Sequence, residues 1–587
     1  MTSSEQLGSR PIVTVDGVPL TDEIAHVLAR TIIDMHSHLP DMFVLHLHDS
    51  EHDVTHRARV TFGSKIVISS TLEGKPVTLV TGEVTALERE TDSTGTRTIV
   101  RGYDPTHRLT RGRRTRTFGD TTDAAIVAQL ASAAGIELGD VVNDGPTYEH
   151  VSQVNLSDWD FLRARANETG HEITAVNGKV HWRRPIESDT APSAPGDLFT
   201  TPVPCQLMLG RELIRFQPRV TAAEQVGEVQ VRGWDPTTKR AVVGVAAART
   251  ASSSAGVAPA GLASTFSAPS HIVVDRPVAT QQDAEAVASS VAEQIAAAHA
   301  EAVGVTFGDP RLVPGTAVSI GNVGWPHDGT YTLSAARHVY DESGYRTEIT
   351  ASGAQERSLF GLASVGATKG SARASGPPIN GLVIGQVTDI NDPMQQFQVK
   401  VAFPWLADDY ESWWCRVAQP GAGAQRGMVW LPEVGDEVLV GFAHGDTRVP
   451  FVVGSLYNGV DVPPLADKLV DGSSGQVGLR ALVSRTNHRM VLSDQDSDSH
   501  VLISTGDDKL QITLDQSQTS ITIDSSGTVT ISGAQGVKIS SGADLDVEAT
   551  GSLSVKANGS LSLSGQAGVT IDGGPSVSVS GAIIKLN

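Results

Sequence analysis

Histidine and aspartate residues near the start of the chain have the spacing of a metal site. Asp34, His36 and His38 are each two residues apart. Alternate residues of a strand point to one face of a sheet, so the two histidines would share a face and could bind a divalent cation. Further candidate ligands follow closely: His46, His48, Asp49 and His52.

The Asp-x-His-x-His pattern resembles the beginning of metal-dependent amidohydrolases. That fold needs eight alternating strands and helices downstream, whereas this sequence is rich in strand patterns and poor in helices. The histidine pattern alone supports a metal-dependent hydrolase, which is the alternative function. The favoured interpretation is a polar strand, with no catalytic residue, metal or cofactor, in a chain that is not an enzyme.

The remaining candidate nucleophiles are isolated. Cys205 and Cys415 are too few for a disulfide framework or a cysteine-based zinc site. Cys415 stands between two large residues of a predicted strand and Cys205 in a proline-flanked segment, so both are predicted to be structural thiols. His338 also lies in a strand pattern and is predicted to pack rather than to catalyse.

Charge and composition exclude several classes of protein. The 587 residues carry 45 Lys and Arg against 66 Asp and Glu, a net charge of −21. Such a surface repels nucleic-acid phosphates, so a nucleic-acid partner is not expected. The first residues lack a basic start and an apolar segment, which predicts synthesis in the cytoplasm without a signal peptide.

A long N-terminal region, residues 1–370, has the pattern of strands with a few helices. Segments such as Val77–Val84 and Thr96–Tyr103 alternate as strands do. Helices are predicted near residues 120–170 and 280–302, the latter with Val287, Val291 and Ile295 on its apolar face. Residues 251–270 are predicted as a loop, and residues 371–379 as a linker.

Residues 380–459 are predicted to form a small barrel. Short strands separated by turns are typical of an OB-type barrel. Six are predicted: Leu382–Thr388, Phe397–Phe403, Trp413–Ala418, Met428–Leu431, Glu437–Phe442 and Phe451–Leu456. Residues 460–510 are predicted as a connector to the last region, residues 511–587.

An eight-residue repeat dominates that last region, which contains no aromatic residue. Each octad carries two branched apolar residues, two positions apart, with small residues between the pairs. We call these residues the octad pairs: Ile521 and Ile523, Val529 and Ile531, Val537 and Ile539, Leu545 and Val547, Leu553 and Val555, Leu561 and Leu563, Val569 and Ile571, and Val577 and Val579. A fixed period of this kind marks a repeat architecture.

The octad pairs predict assembly with other copies of the chain. Residues two apart share one face of a strand, but two modest side chains per octad cannot keep a single ribbon folded. Three chains around one axis would bury the pairs against each other and pair every strand edge. The sequence therefore predicts a homotrimeric β-helix, with the octad pairs as its core.

Motifs along nearly the whole chain resemble the VgrG-like central spike, a fused hub and spike of contractile injection systems. In the N-terminal region these motifs are LPDMF (Leu39–Phe43), RGYDPTHRL (Arg101–Leu109), LSDWDFLRARANETGHEI (Leu156–Ile173), EVQVRGWDPTTK (Glu228–Lys239) and GTYTLSAARHVYDESGYRTE (Gly329–Glu348). In the barrel they are GLVIGQVTDINDP (Gly381–Pro393), VAFPWL (Val401–Leu406) and GDEVLVGFAHGDTRVPFVVGSLYNG (Gly435–Gly459).

The resemblance implies a mainly β fold, with a hub of two β-barrels and inserted helices, an OB barrel and a trimeric β-helix needle. It implies a structural role: the spike joins an inner tube to a tip and punctures an envelope when a sheath contracts. The implied partners are the chain itself, the tube protein, baseplate proteins and a conical PAAR-like tip protein. The resemblance leaves open whether the assembly also carries an effector cargo. Phage tails, type VI secretion systems and released particles share these parts, and the fused hub favours the latter two.

The end of the repeat is the expected contact for the tip. Ile583, Ile584 and Leu586 from three chains would form an apolar platform. Some spikes of this family close instead on a metal held by paired histidines. No histidine follows His500, so a separate tip protein is predicted.

Overall fold

A computed structural model describes residues 10–586, except residues 94, 195, 197–200, 354–377 and 467–468. The chain forms two compact units that divide at Asp461 and Val462. The fold is mainly β. Its α-helices are Asp22–Val27, Val54–Arg57, Asp123–Ala134, Asp158–Thr169, Pro259–Thr265 and Gln281–Ala297, and its 3₁₀ helices are Pro105–Thr110, Ser188–Thr190 and Ala443–Gly445. None of the helices in the described ranges is long and apolar enough to cross a membrane.

An eleven-stranded antiparallel sheet organises the first unit. Its strands come from both ends of the N-terminal region and lie in the order Leu213–Val220, Ala300–Phe307, Gly344–Ala351, Ala335–Asp341, Leu28–His36, Met42–His48, Gly95–Tyr103, Lys75–Asp92, Lys65–Leu72, Ile12–Val15 and Val18–Pro19. One face of the sheet covers a core that includes Ile33, Phe43 and Leu45. Because alternate residues of a strand point to opposite faces, the other face carries a smaller buried cluster of Ile32, Val44 and Ile99.

Four smaller sheets complete residues 12–351. The first sheet pairs Arg114–Thr121 with Tyr148–Leu156, and the second contains Glu172–Val176, Lys179–Arg183 and Glu137–Val141. The third contains Gln206–Met208, Ala317–Gly321, Gly329–Thr332 and Ser253–Ala255. The fourth contains Arg240–Ala247, Glu228–Asp235 and Ser270–Val273. The first two of these sheets flank the helices Asp123–Ala134 and Asp158–Thr169 around buried Trp159 and Trp182. The predicted two-barrel hub remains a prediction.

The helix predicted over residues 280–302 is shorter and packs differently. It spans Gln281–Ala297, because residues from Ala300 onward form a strand between two partners that are distant in sequence. Its most deeply buried face is Ala284, Ala288, Ala292 and Ala296, and the predicted valine and isoleucine stripe is only partly buried. The predicted loop 251–270 is also wrong, since it contains the strand Ser253–Ala255 and the helix Pro259–Thr265.

Five strands close into a barrel within residues 382–455. They are Leu382–Asp389, Gln398–Ala402, Cys415–Val417, Pro450–Ser455 and Glu437–Phe442. The predicted strand Met428–Leu431 is not formed, and the hairpin strands Ala422–Gly423 and Arg426–Gly427 precede it instead. Most of the predicted linker 371–379 lies outside the described residues.

The second unit begins with a five-stranded antiparallel sheet in which each strand pairs with the next. The strands are Leu479–Val483, Arg489–Gln495, Asp498–Ser504, Leu510–Asp515 and Ser520–Ser525. The segment predicted as a connector thus contributes three strands to this sheet. In the described residues beyond Ser525, the chain forms no further strand pairs with itself.

Candidate assembly surface

The octad repeat is visible in the backbone. From residue 526 to residue 582 the chain bends once every eight residues, and each octad pair from Val529 onward lies between two bends. Some bends require glycine, because a β-carbon on Gly533 or Gly565 would lie only 2.4 or 2.3 Å from the carbonyl oxygen of Gly536 or Gly568. The small residues between the pairs therefore have a steric role.

All sixteen octad-pair side chains are exposed in the single chain. Their exposed fractions range from 53% for Val529 to 74% for Ile521. A regular row of exposed branched side chains is unfavourable in water, at roughly 25 cal/mol for each Å² of apolar surface. The row therefore has the composition of an interaction surface.

The predicted tip residues are similarly exposed. Ile583, Ile584 and Leu586 have exposed fractions of 78%, 52% and 93%. They lie four to seven residues after Val579 and outside the octad register, whose next two positions are Lys585 and Asn587.

The histidine cluster does not assemble into a metal site. The Nε2 atom of His36 lies 3.1 Å from Oδ1 of Asp34, and both line an open cavity of about 990 Å³. His38 lies beyond the end of the strand and lines a different cavity, beside Arg163 and Glu172. Within the described ranges, no group of three or more His, Cys, Asp or Glu side chains could hold a metal ion.

The other members of the cluster have structural contacts. His46 lies on the strand Met42–His48, and burial and the neighbouring Arg30 and Arg101 lower its pKa. Asp49 accepts hydrogen bonds from Thr98 Oγ1 and from the backbone amides of Asp53 and Val54. The carboxylate of Asp49 thus holds the start of the helix Val54–Arg57.

The isolated thiols and His338 have the environments of packed residues. Burial raises the pKa of Cys415 to about 12, and burial also raises the pKa of Cys205. Both thiols are therefore protonated near neutral pH and are weak nucleophiles. Burial lowers the pKa of His338 to about 4, so its ring is neutral, and its Nδ1 lies 2.9 Å from the Tyr345 hydroxyl.

Two of the sequence motifs meet in one buried contact. The backbone amide of Asp41, in LPDMF, donates to Asp104 Oδ2 at 2.5 Å, and Asp104 Oδ1 accepts from the amide of Thr106. Burial raises the pKa of both carboxyl groups, and the charge of Asp104 raises that of Asp41 further. The motif residues thus anchor a loop to the strand Gly95–Tyr103.

Known proteins share segments of this chain. The family model of the Alg8 N-terminal domain matches residues 44–342, just over half of the chain. The model of the type VI secretion system/phage-baseplate injector OB domain matches residues 383–457, which form the closed barrel.

Curated relatives match over short segments. The type VI secretion system spike protein VgrG2a of Pseudomonas aeruginosa is 37% identical over 98 residues, 16% of this chain and 12% of that protein. The spike protein VgrG3 of Vibrio cholerae is 41% identical over 73 residues, 12% of this chain and 7% of that protein. The chain thus matches only about a tenth of the length of these relatives.

A solved structure shares the fold over a greater length. The lidded PdpA–VgrG complex of Francisella contains a chain that is 9% identical, with a TM-score of 0.52 and coverage of 87% of this chain and 79% of that one. A mainly β chain with an injector-type OB barrel has the architecture of the VgrG-like spike proteins. The chain belongs to the family defined by the Alg8 N-terminal domain, and it is VgrG-like.

Proposed function

We propose that this chain is the structural central spike of a contractile injection system. In this role it joins the inner tube to the tip and punctures the target envelope when the sheath contracts. The observation that carries the proposal is the row of sixteen exposed octad-pair residues on one chain, repeated with the period of the backbone bends. The injector-type barrel that precedes the row supports the same role.

The octad pairs would form the core of a homotrimer. Each chain supplies one side of a narrow β-helix over residues 511–587, and its apolar pairs face the axis. The unpaired backbone groups beyond Ser525 would then pair between chains, which removes open strand edges. A rigid prism of this kind suits the transmission of force.

The hub and the tip would provide the other contacts. A hub of two barrels per chain presents six similar units in a trimer and so fits a hexameric inner tube. Baseplate proteins surround the hub, and a conical PAAR-like protein covers Ile583, Ile584 and Leu586. The chain is made in the cytoplasm and assembles into the particle without catalytic activity of its own, and effector cargo can be carried by the same assembly.

The native mass of the purified full-length chain tests this proposal. Three copies of 61.7 kDa give about 185 kDa. We expect this mass by light scattering at all concentrations, and we expect the trimer to persist in denaturant that unfolds ordinary domains. A folded monomer would contradict the proposal. In particles from the producing cell, electron microscopy should locate the chain at the tip end of the tube.

A further inference from the structure

Arginines are concentrated in one short segment of this acidic chain. The five that fall within nine residues are Arg108, Arg111, Arg113, Arg114 and Arg116. No acidic residue lies between Asp104 and Asp120, although the whole chain carries a net charge of −21. The segment is therefore a local excess of positive charge on an acidic protein.

The first and last of these arginines have partners within the chain. Arg108 forms an ion pair with Glu83 and donates a hydrogen bond from Nη1 to the carbonyl oxygen of Ala134 at 3.0 Å. Arg116 forms an ion pair with Asp158. These contacts hold both ends of the segment in place.

The three arginines between them are exposed, and we call them the arginine patch: Arg111, Arg113 and Arg114. In the part of the chain that the structure describes, Arg111 and Arg113 form no ion pair. Arg114 reaches only Asp158, at 3.8 Å, and Arg116 already neutralises that carboxylate. The patch thus carries guanidinium groups whose charge has no counterpart among the described residues.

The backbone presents the patch in a defined turn. Gly112 has a φ of +73°, in the left-handed region that favours glycine. Arg113 donates a hydrogen bond from Nη1 to the carbonyl oxygen of Asn155 at 3.3 Å. This bond orients the guanidinium group and leaves its charge unpaired, so part of the ordering that a ligand would require is already present.

A cavity of about 310 Å³ lies beside the patch. Arg108, Arg111 and Arg114 line it, together with Asp158 and two alanines. Guanidinium groups bind carboxylates through paired hydrogen bonds and keep their charge at all relevant pH values. With three arginines against one carboxylate in its wall, the cavity favours an anionic group.

A larger cavity, of about 990 Å³, meets the first at Arg111, which lines both. Its wall includes the apolar side chains of Leu39, Met42 and Phe62. The exposed fraction of Phe62 is 69%. Large exposed apolar side chains beside charged ones are typical of sites that bind another protein.

The acidic side chains of the larger cavity have partners of their own. Glu83 pairs with Arg108, and Asp160 accepts a hydrogen bond from the hydroxyl of Ser157 at 2.7 Å. Asp34 lies 3.1 Å from His36, as described above. None of these contacts neutralises Arg111, so the positive charge at the junction of the two cavities is available to a ligand.

We infer that the arginine patch binds an acidic segment of a partner protein, with an apolar side chain of that segment in the larger cavity. Carboxylates would meet the unpaired guanidinium groups, and opposite charges favour both encounter and orientation. The apolar wall suits a protein side chain, whereas the carboxylates in the same wall repel a phosphate backbone. A protein segment is therefore favoured over a nucleic acid.

The inference goes beyond the proposed spike function. Every side chain of the site belongs to the first unit of one chain, and none belongs to the octad pairs. The site would therefore recruit a further protein to the particle, and its presence does not depend on the trimer.

Binding of short peptides to the full-length chain tests the inference by fluorescence anisotropy. The probe is Phe-Glu-Glu-Glu-Phe, which carries an uncharged dye and has an apolar residue at each end because the direction of binding is open. We expect saturable binding that weakens by about tenfold between about 50 and about 500 mM NaCl, because salt screens exposed charges. An absence of saturable binding would overturn the inference.

Two matched peptides separate the two parts of the site. Phe-Gln-Gln-Gln-Phe keeps the apolar ends without the charge, and Gly-Glu-Glu-Glu-Gly keeps the charge without the apolar ends. We expect each to bind about tenfold more weakly than the probe, since each loses one class of contact. Equal binding of the probe and the glutamine peptide would overturn the role of the arginines.

Reversal of charge in the patch tests the residues themselves. R111E/R113E should weaken binding of the probe by about tenfold or more, because attraction becomes repulsion, and should unfold at the temperature of the natural chain. K239E/R240E is the matched control, since it changes the charge equally at an exposed turn of the same unit. An equal loss in both variants would mean that the peptide responds only to net charge, which would overturn the inference.

Two further measurements test the class of partner. A single-stranded hexathymidylate should bind more weakly than the probe, and tighter binding that R111E/R113E abolishes would assign the patch to nucleic acid instead. The native mass of R111E/R113E should equal that of the natural chain, and a lower mass would assign the patch to contact between copies. A monomeric natural chain that still binds the probe would contradict the spike proposal alone.

Discussion

Arg448 of the barrel forms a bidentate ion pair with Glu168 at the end of the helix Asp158–Thr169. The two nitrogen–oxygen distances are 3.0 and 3.2 Å, and Arg448 also contacts Asp446 at 2.7 Å. Glu168 in turn accepts a hydrogen bond from Arg165, which binds Asp123 through two hydrogen bonds. A chain of largely buried charges therefore fastens the barrel to the preceding helical region.

Replacement of Arg448 should loosen this connection. R448M removes the arginine that contacts Asp446 and one of the two arginines that contact Glu168, and breaking a buried pair in this way costs about 3 kcal/mol. We expect calorimetry to show a lower unfolding temperature for the first unit. K179M removes an exposed pair with Glu137 and should cost less than about 1 kcal/mol, and an equal effect of the two variants would argue against the role of Arg448.

The same network predicts that the stability of the first unit depends on pH. Burial alone would raise the pKa of Glu168, but Arg448 and Arg165 outweigh it, so the pKa is below its ordinary value of 4.5. The stabilisation is present above that ordinary value and is lost as the pH falls through the lower pKa of the folded state. We expect the unfolding temperature of E168Q to fall less between pH 6 and pH 3 than that of the natural chain.

Close approach of a helix to a strand makes Gly244 a sensitive position. A β-carbon on Gly244 would lie 2.2 Å from the backbone of Ala284. G244A should therefore destabilise the first unit by about 1–3 kcal/mol, because the helix must move away from the strand. G454A is the matched control, since nothing lies within 4 Å of that position, and denaturant titration should leave its midpoint unchanged.

The sequence predicts those elements whose structure is determined by residues close together in the chain. Ser157 caps its helix by accepting from the amide of Asp160 at 3.1 Å, as the sequence indicated. The barrel strands and the eight-residue period were also predicted, because turns and periodicity are contained in short segments. The octad pairs are visible in sequence for the same reason.

The wrong predictions concern segments whose structure depends on pairing with strands that are distant in sequence. The helix predicted to reach residue 302 ends at Ala297 because the next segment joins a sheet with Leu213–Val220 and Gly344–Ala351. Alanines form the buried face of that helix, and a strand approaches it closely at Gly244, where a β-carbon would lie 2.2 Å from the backbone of Ala284. The hub of two barrels, which the family resemblance implies, remains a prediction.

Asp on the octad face should break the trimer. V555D would place three carboxylates around the proposed axis, and burial of each would cost several kcal/mol. We expect loss of the native trimer or a large fall in its resistance to denaturant, measured by light scattering and non-boiled gels. S554D is the matched control, because Ser554 precedes Val555 and points to the opposite face of a strand. An equally stable trimer of V555D would contradict the octad core.

The tip residues can be tested independently of the trimer core. Replacement of Ile583 and Ile584 by Asp removes the apolar platform but leaves all octad pairs intact. We expect the I583D/I584D trimer to keep its native mass and to lose at least tenfold in affinity for the PAAR-like tip protein of the same particle, measured by calorimetry. K585A, between the apolar residues, should bind as the natural chain does. Undiminished binding by I583D/I584D, or equal loss in K585A, would exclude these side chains as the docking surface, because apolar burial could not then supply the affinity.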